Sequence, residues 1–282
     1  MATLDYPVKL ELSFKDFQRV KKVIFDHCGI DLCDGKRALV NSRLAKRTRT
    51  MKFGAISSYI DHVLSNDGKE EFINFVDSLS TNLTSFYREN DHFEYLSKTL
   101  LPQILKSKIK QKDYKLRIWS AGCSSGEEPY TLSIILNEHI PNIERWDAKI
   151  LATDISTKIL NKCTTGVYDD KRVKTVAPSL RDKYFSKING SNNEYMVNDK
   201  LRSLITFNYL NLMEKFPFNG PFDCIFCRNV MIYFNKQTQE DLINRYTNLL
   251  TPDGVLFIGH SESLSGVQHN LEYVLPSAYK RK

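Results

Sequence analysis

The chain has 282 residues, of which 41% are hydrophobic, and a formal net charge of +7, so one large or two modest domains with a real core are expected. No apolar run approaches the roughly 18 residues of a membrane span, and the amino terminus, MATLDYPVKLELSF, lacks the charged segment and apolar block of a signal peptide. Its six cysteines are scattered. Cys224 and Cys227 have the spacing of a metal clip but lie in an apparent strand, where residues three apart face opposite sides. We therefore expect a reduced, cytosolic protein without metal and without membrane insertion.

Residues 10–80 are predicted to be helical. Ser13 precedes apolar residues at helical spacing, and Asp16 three positions later completes a variant of the capping box. This first helix is expected to end at Gly29. Further helices are predicted from about Asp34 to Met51 and from Glu70 to Leu79.

The second of these helices is strongly basic. Between Gly35 and Ile60 the chain has seven basic residues and no acidic one. At 100° per residue, Lys36, Arg43 and Arg47 fall within an arc of roughly 40°. Such a patch indicates an acidic partner surface, which includes nucleic acid, a membrane or an acidic protein, although an ordinary solvated face has the same pattern. The buried stripe beside the arc is predicted to be Val40, Leu44 and Met51.

The segment Thr81 to Glu89, TNLTSFYRE, precedes a helix predicted over Asn90 to Lys108. Its hydroxyls and its amide suit the capping of that helix. Nothing physical in the segment alone indicates a site.

The stretch from Leu116 to Thr131, LRIWSAGCSSGEEPYT, reads as a buried strand, a loop of small residues and a helix start. Small side chains let a ligand approach the backbone, and glycine can take positive φ. Glu127, Glu128 and Pro129 suit the first turn of a helix. Open α/β sheets hold nucleotide-like ligands in this way. The spacing G-x-x-x-G differs from the dinucleotide fingerprint, which disfavours NAD, and an ordinary strand-to-helix turn has a similar pattern.

From this loop onward strand and helix signals alternate, which predicts an α/β domain. Asp154 ends the second strand, where an acid holds ribose hydroxyls, although a cap on a helix near Ser156 explains it equally well. Tyr184 to Ser203 breaks the alternation and predicts an inserted antiparallel ribbon. Strands are predicted at Lys149 to Ile155, Ile205 to Leu210, Phe222 to Cys227 and Val255 to Ile258, and a helix at Lys236 to Leu250.

Five segments together resemble the chemotaxis-receptor methyltransferases, which methylate chemoreceptor glutamates using S-adenosyl-L-methionine. The resemblance covers nearly the whole chain. It implies an all-α domain over residues 1–80 and a class I methyltransferase domain over 81–282. The second domain would have a Rossmann-like fold with a doubly wound, mostly parallel sheet and an antiparallel β-subdomain inserted at about 184–205. The segments are TNLTSFYRE at 81–89, SAGCSSGEEPYT at 120–131, ATDIS at 152–156, NLMEKFPFNGPFDCIFCRNVMIYF at 211–234 and GHSESL at 259–264.

The resemblance also implies site residues and no metal ligand. Arg88 and Tyr233 would be catalytic, lying nearest the transferred methyl group. Without the resemblance, Tyr233 would be interpreted as a core aromatic. Tyr87 lies where the family usually has Phe. The residues that would bind the cofactor are Asn82, Thr84, Arg88, Glu127, Glu128, Asp154, Asn211, Leu212, Arg228 and Asn229. The basic helix, rather than the resemblance, provides the residues expected to meet the substrate, which are Lys36, Arg43, Lys46 and Arg47.

Two other functions share some of these features. A nucleic-acid methyltransferase would use the basic helix, but an amino-methylating enzyme of that class is expected to have Asn/Asp-Pro-Pro-aromatic where this chain has Arg228-Asn229-Val230. A non-catalytic binding module would keep the fold, and the presence of Arg88, Asp154 and Tyr233 disfavours it.

Some family members bind a C-terminal receptor pentapeptide as an added strand on the β-subdomain. Their glycine-rich loop is spaced G-x-G-x-x-x-G, whereas Ser186 to Tyr195 here contains only Gly190. We therefore expect no pentapeptide tether. The resemblance implies a cytoplasmic monomer that acts on the helical bundle of chemoreceptors.

Overall fold

The computed structural model describes residues 10–80, 82–191 and 193–282. The chain forms two compact units, Met1–Thr81 and Asn82–Lys282. Among the described residues, none of the helices combines the length and the apolar character that a membrane crossing requires.

The first unit is helical, as predicted. The Ser13 hydroxyl accepts a hydrogen bond from the Asp16 amide at 3.0 Å, and Gly29 ends the first helix in the left-handed conformation. Both caps were predicted, but a short helix after Gly54 was not, because eight residues give a weak periodic signal. The helices are α1 (Phe14–Cys28), α2 (Arg37–Thr50), α3 (Ile56–Val63) and α4 (Lys69–Leu79), with a 3₁₀ turn at Asp34–Lys36.

The buried stripe of α2 was predicted correctly in part. Val40 and Leu44 are buried, whereas Met51 lies just past the end of the helix and is 36% exposed. The helical spacing that would have turned Met51 inward ends at Thr50.

The second unit contains a seven-stranded sheet of order β6-β2-β1-β7-β8-β10-β9. All neighbours from β6 to β8 are parallel, and β10 is antiparallel to both β8 and β9. The chain runs from β1 outward to β6 and then returns to the other side of β1, so the loops after β1 and β7 diverge at the switch point where such sheets bind ligands. The strands are β1 (Lys115–Ala121), β2 (Asp147–Asp154), β3 (Val167–Asp169), β4 (Phe185–Lys187), β5 (Glu194–Val197), β6 (Ile205–Tyr209), β7 (Phe222–Cys227), β8 (Leu250–Ile258), β9 (Leu271–Leu275) and β10 (Ala278–Arg281).

Helices cover this sheet, and the predicted doubly wound fold is confirmed. All six residues of β7 are buried, as expected for a central parallel strand. Trp119 of β1 is fully buried, and its ring packs on Phe222 and Tyr246. The helices are α5 (Asn90–Tyr95), α6 (Leu101–Lys110), α7 (Glu127–His139), α8 (Thr157–Thr165), α9 (Asp170–Val173), α10 (Pro178–Tyr184), α11 (Asp199–Arg202) and α12 (Lys236–Leu249), with a π segment at Leu96–Leu100 between α5 and α6.

A separate antiparallel sheet of order β3-β5-β4 forms the small β-subdomain. Its hairpin, β4 and β5, lies in the predicted insert. Its third strand, β3, lies upstream of that insert. It was not predicted, because the turn residues near Gly190 indicate only the hairpin. The C-terminal hairpin β9–β10 was not predicted, and β8 begins at Leu250 rather than Val255.

Candidate active site

The carboxyl ends of the parallel strands bring the predicted site residues to one edge of the sheet. Each strand contributes one loop. The residues that follow or end these strands are Gly122 after β1, Asp154 in β2, Asn211 after β6, Arg228 after β7 and Gly259 after β8.

The glycine loop, Gly122–Gly126, requires both of its glycines. Gly122 has φ of 82° and Gly126 has φ of 93°, a region unfavourable for other residues. A Cβ on Gly122 would lie 2.5 Å from Val230 Cγ2, and one on Gly126 would lie 2.7 Å from the Tyr168 hydroxyl. The loop is therefore fitted on one side to the segment after β7 and on the other to β3 of the small sheet.

Asp154 connects β2 to the glycine loop. Its carboxylate accepts hydrogen bonds from the backbone amides of Ser124 at 2.8 Å and Ser156 at 2.9 Å. The cap of α8 is Ser156, whose hydroxyl accepts from the Ile159 amide. Asp154 is therefore not the helix cap, and it lies against the loop that is predicted to bind the cofactor.

The adjacent glutamates of α7 have different partners. Glu128 accepts from the Ser120 hydroxyl at 2.7 Å, and its other oxygen lies 3.4 Å from Nη1 of Arg228. Burial raises the pKa of Glu128, although Arg228 acts in the opposite direction. Glu127 is fully buried, and its oxygens bond the Ser125 hydroxyl and the guanidinium of Arg172 in α9.

The assignment of Glu127 to the cofactor stays a prediction, and the partners of Glu127 favour Glu128 in that role. Consecutive residues on a helix point about 100° apart, so the side chains of Glu127 and Glu128 leave α7 in different directions. Both carboxylate oxygens of Glu127 are engaged beneath the loop, which leaves Glu128 as the acidic residue that α7 presents to the site.

Arg228 joins three parts of the site through a guanidinium whose side chain is 2% exposed. Its Nη2 donates to the Arg88 carbonyl and, at 3.1 Å, to Glu89, and its Nη1 faces Glu128. Burial opposes the charge of Glu89, yet Arg228 and further hydrogen bonds hold the pKa of Glu89 below its usual range. The pairing fixes the linker segment, which we define as Asn82 to Glu89, against α7. Glu89 was not predicted as a site residue, because nothing in TNLTSFYRE identifies its partner 139 positions away.

The remaining predicted residues lie on these same segments. The Arg88 Nη1 donates to the Leu83 carbonyl at 2.7 Å, and Tyr233 ends a 3₁₀ turn at Met231–Tyr233. The Asn211 side chain bonds the Met213 amide in the turn after β6. The partly buried Asn82, Thr84 and Asn229 and the buried Leu212 and Asn211 complete the predicted set.

The basic helix α2 uses part of its charge internally. Arg43 donates to the carbonyls of Leu79 and Ser80 at 2.7 and 2.9 Å, and Arg47 pairs with the buried Glu71. We had expected Arg43 and Arg47 to face the substrate, and the structure gives both a role in holding α4. Of the predicted substrate residues, Lys46 is exposed and Lys36 is partly buried.

One group among the described residues, Glu89, His92 and His260, has metal-like spacing, with ligand atoms within 4.8 Å of one another. Burial, followed by the charge of Arg228, lowers the pKa of His92 to about 4. Because Arg228 already bonds the Glu89 carboxylate, a second cation is disfavoured there. The expectation of a metal-free protein stays a prediction.

The residues at this edge fit S-adenosyl-L-methionine. The Ser124 hydroxyl is buried and has no hydrogen-bond partner in the described part of the chain, so the glycine loop holds a polar atom that a ligand can satisfy. Two carboxylates, Glu128 and Asp154, suit an ammonium group and ribose hydroxyls. A cationic ligand also matches the two negative charges.

Comparison with known proteins identifies the family. Residues 82–279 match the family model "CheR methyltransferase, SAM binding domain", and residues 15–80 match "CheR methyltransferase, all-alpha domain". A chemotaxis protein methyltransferase of Borreliella burgdorferi is 38% identical to this chain, over 98% of this chain's length and 97% of the relative's length. The probable chemotaxis protein methyltransferase of Rhizobium etli is 41% identical over 86% of this chain and 91% of the relative. The chemotaxis protein methyltransferase of Escherichia coli is 37% identical over 92% of this chain and 88% of the relative. The chain belongs to the CheR methyltransferase family.

Proposed function

We propose that this protein transfers a methyl group from S-adenosyl-L-methionine to the side-chain carboxylates of specific glutamates on chemoreceptor cytoplasmic domains, as part of chemotaxis adaptation. The products are glutamate methyl esters and S-adenosylhomocysteine. The observation that carries the proposal is the buried Arg228, which bonds the linker at Arg88 and Glu89 and faces Glu128 beside the glycine loop. In a chain of this family, that junction supports a single site formed by the linker segment and the predicted cofactor loop.

The chemistry needs little from the protein beyond positioning. Bound S-adenosyl-L-methionine supplies a methyl group on a positively charged sulfur. A substrate glutamate, with a pKa of about 4.3, is already ionised at neutral pH and needs no general base. Its oxygen forms the new bond to the methyl carbon as the bond to sulfur breaks, and the electron pair of that bond stays on sulfur. Near-attack positioning supplies roughly 7–11 kcal/mol in such reactions.

Arg88 and Tyr233 are the residues proposed to position the acceptor. Arg88 uses Nη1 on the Leu83 carbonyl, and a guanidinium has further donors for a two-pronged bond to a carboxylate. Tyr233 offers a hydroxyl from the turn after β7. Both residues lie on segments that Arg228 connects, which supports their acting on one acceptor.

The cofactor is proposed to bind along the sheet edge. Glu128 takes the methionine end and Asp154 takes the ribose. The structure supports these roles through the carboxylates that it holds at the loop. The other residues proposed to border the cofactor are Asn82, Thr84, Arg88, Asn211, Leu212, Arg228 and Asn229.

The substrate is proposed to meet the basic helix α2 through Lys46 and Lys36. Arg43 and Arg47 are less suited to this role because the carbonyls at the end of α4 and the buried Glu71 engage them. Receptor glutamates imply an acidic surface, and the positive charges of the two lysines would steer that surface in a salt-sensitive way. We also propose a cytoplasmic monomer without a pentapeptide tether, since Gly190 is the only glycine in the β4–β5 loop.

The test is methylation of purified receptor cytoplasmic fragments with labelled cofactor, followed by mass mapping. We expect methyl esters on glutamates, equal rates on receptors with and without the C-terminal pentapeptide, and a rate loss of at least tenfold in Tyr233→Phe or Arg88→Ala. Asp154→Ala should weaken cofactor binding by about 1.5–3 kcal/mol in calorimetry. Lys46→Glu should slow methylation at low salt and leave cofactor affinity unchanged. Absence of methyl transfer by the wild type to any receptor fragment would contradict the proposal.

A further inference from the structure

Glu262, in the segment GHSESL, has no role in the site as described so far. It is 9% exposed. Its Oε2 accepts from the backbone amides of Asn229 at 2.9 Å and Gly259 at 2.5 Å, and its Oε1 accepts from that of Ile232 at 3.1 Å. One side chain thus satisfies backbone donors from two separate segments.

These donors belong to the tyrosine loop, which we define as Arg228 to Tyr233, and to the end of β8. Within the tyrosine loop, Asn229 has φ of 58°, and Met231–Tyr233 forms only a single 3₁₀ turn. Such a segment satisfies few of its own amides, so the Glu262 carboxylate replaces the bonds that a longer helix would have supplied.

The tyrosine loop carries the groups on which the proposed reaction depends. Arg228 connects the linker to Glu128, and Tyr233 ends the turn in which Glu262 binds the Ile232 amide. A Cβ on Gly122 would lie 2.5 Å from Val230 Cγ2, so a shift of the tyrosine loop also reaches the glycine loop. In closely packed sites, a mutation far from the reacting atoms that misplaces a group by about 1 Å can slow an enzyme about a hundredfold.

We propose that Glu262 is a positioning residue that holds the tyrosine loop in the geometry required for methyl transfer. This inference rests on the proposed function. The carboxylate form is necessary, because amide donors converge on both of its oxygens. A glutamine of the same shape would present an NH₂ group to one set of amides, and donors facing donors repel one another.

The experiment compares Glu262→Gln with Glu240→Gln in the full chain. Glu240 also accepts a backbone amide, that of Gln268 at 3.1 Å, but it lies on α12 outside the tyrosine loop. We expect Glu262→Gln to lower kcat for receptor methylation tenfold to a hundredfold, with KM for the receptor changed less than threefold. Hydrogen exchange at Asn229, Ile232 and Gly259 should accelerate more than tenfold, whereas Glu240→Gln should stay within twofold of the wild type in both measurements.

A kcat within twofold of the wild type in folded Glu262→Gln, with unchanged exchange at those amides, would overturn the inference. If Glu262→Gln does not fold, Glu262→Asp serves instead, because it keeps the charge and shortens the reach. A fivefold or greater loss of kcat with cooperative unfolding would then support the proposal, and full activity would reject it. Failure of the wild type to methylate receptors would contradict the proposed function, while the exchange measurement would still decide the role of Glu262.

Discussion

The two loops of the site each lie against a buried glutamate, and the two carboxylates are compensated differently. Beneath the glycine loop, Glu127 bonds the guanidinium of Arg172 and the Ser125 hydroxyl. Beside the tyrosine loop, Glu262 bonds backbone amides and has no ion-pair partner among residues 10–80, 82–191 and 193–282. The compensation of Glu127 depends on the side chain of Arg172, which is distant in the sequence. The compensation of Glu262 depends only on where the backbone amides lie.

The difference has an energetic consequence. A buried charge loses its hydration, and an opposite charge or converging hydrogen bonds must replace it. For Glu262, burial raises the pKa, and the hydrogen bonds from the amides of Gly259, Asn229 and Ile232 reverse this only in part. The tyrosine loop is therefore held by a charge that costs stability, whereas the glycine loop is held by a pair whose two members neutralise each other.

The largest effect is expected from breaking the pair. Arg172→Met would leave the fully buried Glu127 without its cation, and the loss of one partner of a buried pair costs about 3 kcal/mol or more. Urea unfolding at pH 7 should show this loss. Arg181→Met, on the neighbouring helix α10 with its guanidinium 3.8 Å from Asp182, should change stability by less than about 1 kcal/mol.

A double variant separates pairing from packing. Arg172→Met combined with Glu127→Gln should be more stable than Arg172→Met alone, because the uncompensated charge is gone. If the loss of unfolding free energy in the double variant equals the sum of the losses in the two single variants, the two side chains contribute packing without charge pairing. Glu127 and Glu262 would then not differ in how their charges are compensated.

A smaller effect sharpens the comparison through pH. Because the folded pKa of Glu262 is raised, the folded state binds this proton more tightly than the unfolded state, and the resulting stability is present at low pH and lost as pH rises through the folded pKa. Glutamine does not titrate. The free energy of unfolding of the wild type, relative to that of Glu262→Gln, should therefore fall with rising pH. The fall is about 1.4 kcal/mol for each unit by which folding raises the pKa of Glu262.

Urea unfolding of both proteins between pH 4 and 8 would measure this fall, with Glu240→Gln as the parallel control. Activity should change in the opposite direction, since only the ionised carboxylate accepts amides at both oxygens. Stability curves of the wild type and Glu262→Gln that run parallel across this range would mean that the Glu262 charge costs nothing.

The sequence predicted the parts of the site that depend on local pattern. The strand, the two glycines and the acidic helix start of Leu116 to Thr131 specify a loop whose backbone conformation few other residues allow. Asp154 follows from its place at a strand end. These signals are local because φ, helix capping and strand burial are decided within a few residues.

What the sequence did not predict depends on distant partners. Glu127 and Glu128 look equivalent in the sequence, whereas the structure pairs Glu127 with Arg172, which lies 45 positions away. Arg47 looked like a free surface charge until Glu71 was found beside it. Glu262 binds backbone amides, which every residue except proline has, so no pattern of side chains indicates it.

The smallest expected effect concerns the uncharged bond beneath the glycine loop. The Tyr168 hydroxyl donates to the Ser125 carbonyl at 2.7 Å, and its buried ring packs edge-on against Phe86. Tyr168→Phe keeps the ring and removes the bond, which should cost about 1 kcal/mol. Tyr195→Phe is the matched control, because Tyr195 is the register partner of Tyr168 in β5, and none of the described residues bonds its hydroxyl.

Thermal unfolding and calorimetric cofactor titration would measure both tyrosine variants. Tyr168→Phe should unfold a few degrees below Tyr195→Phe and bind the cofactor a few-fold more weakly, because Ser125 adjoins the loop amide that bonds Asp154. A loss as large as that of Arg172→Met would mean that the hydroxyl, and not the ion pair, chiefly holds the glycine loop. The contrast between a loop held by paired charges and a loop held by its own backbone would then no longer describe this site.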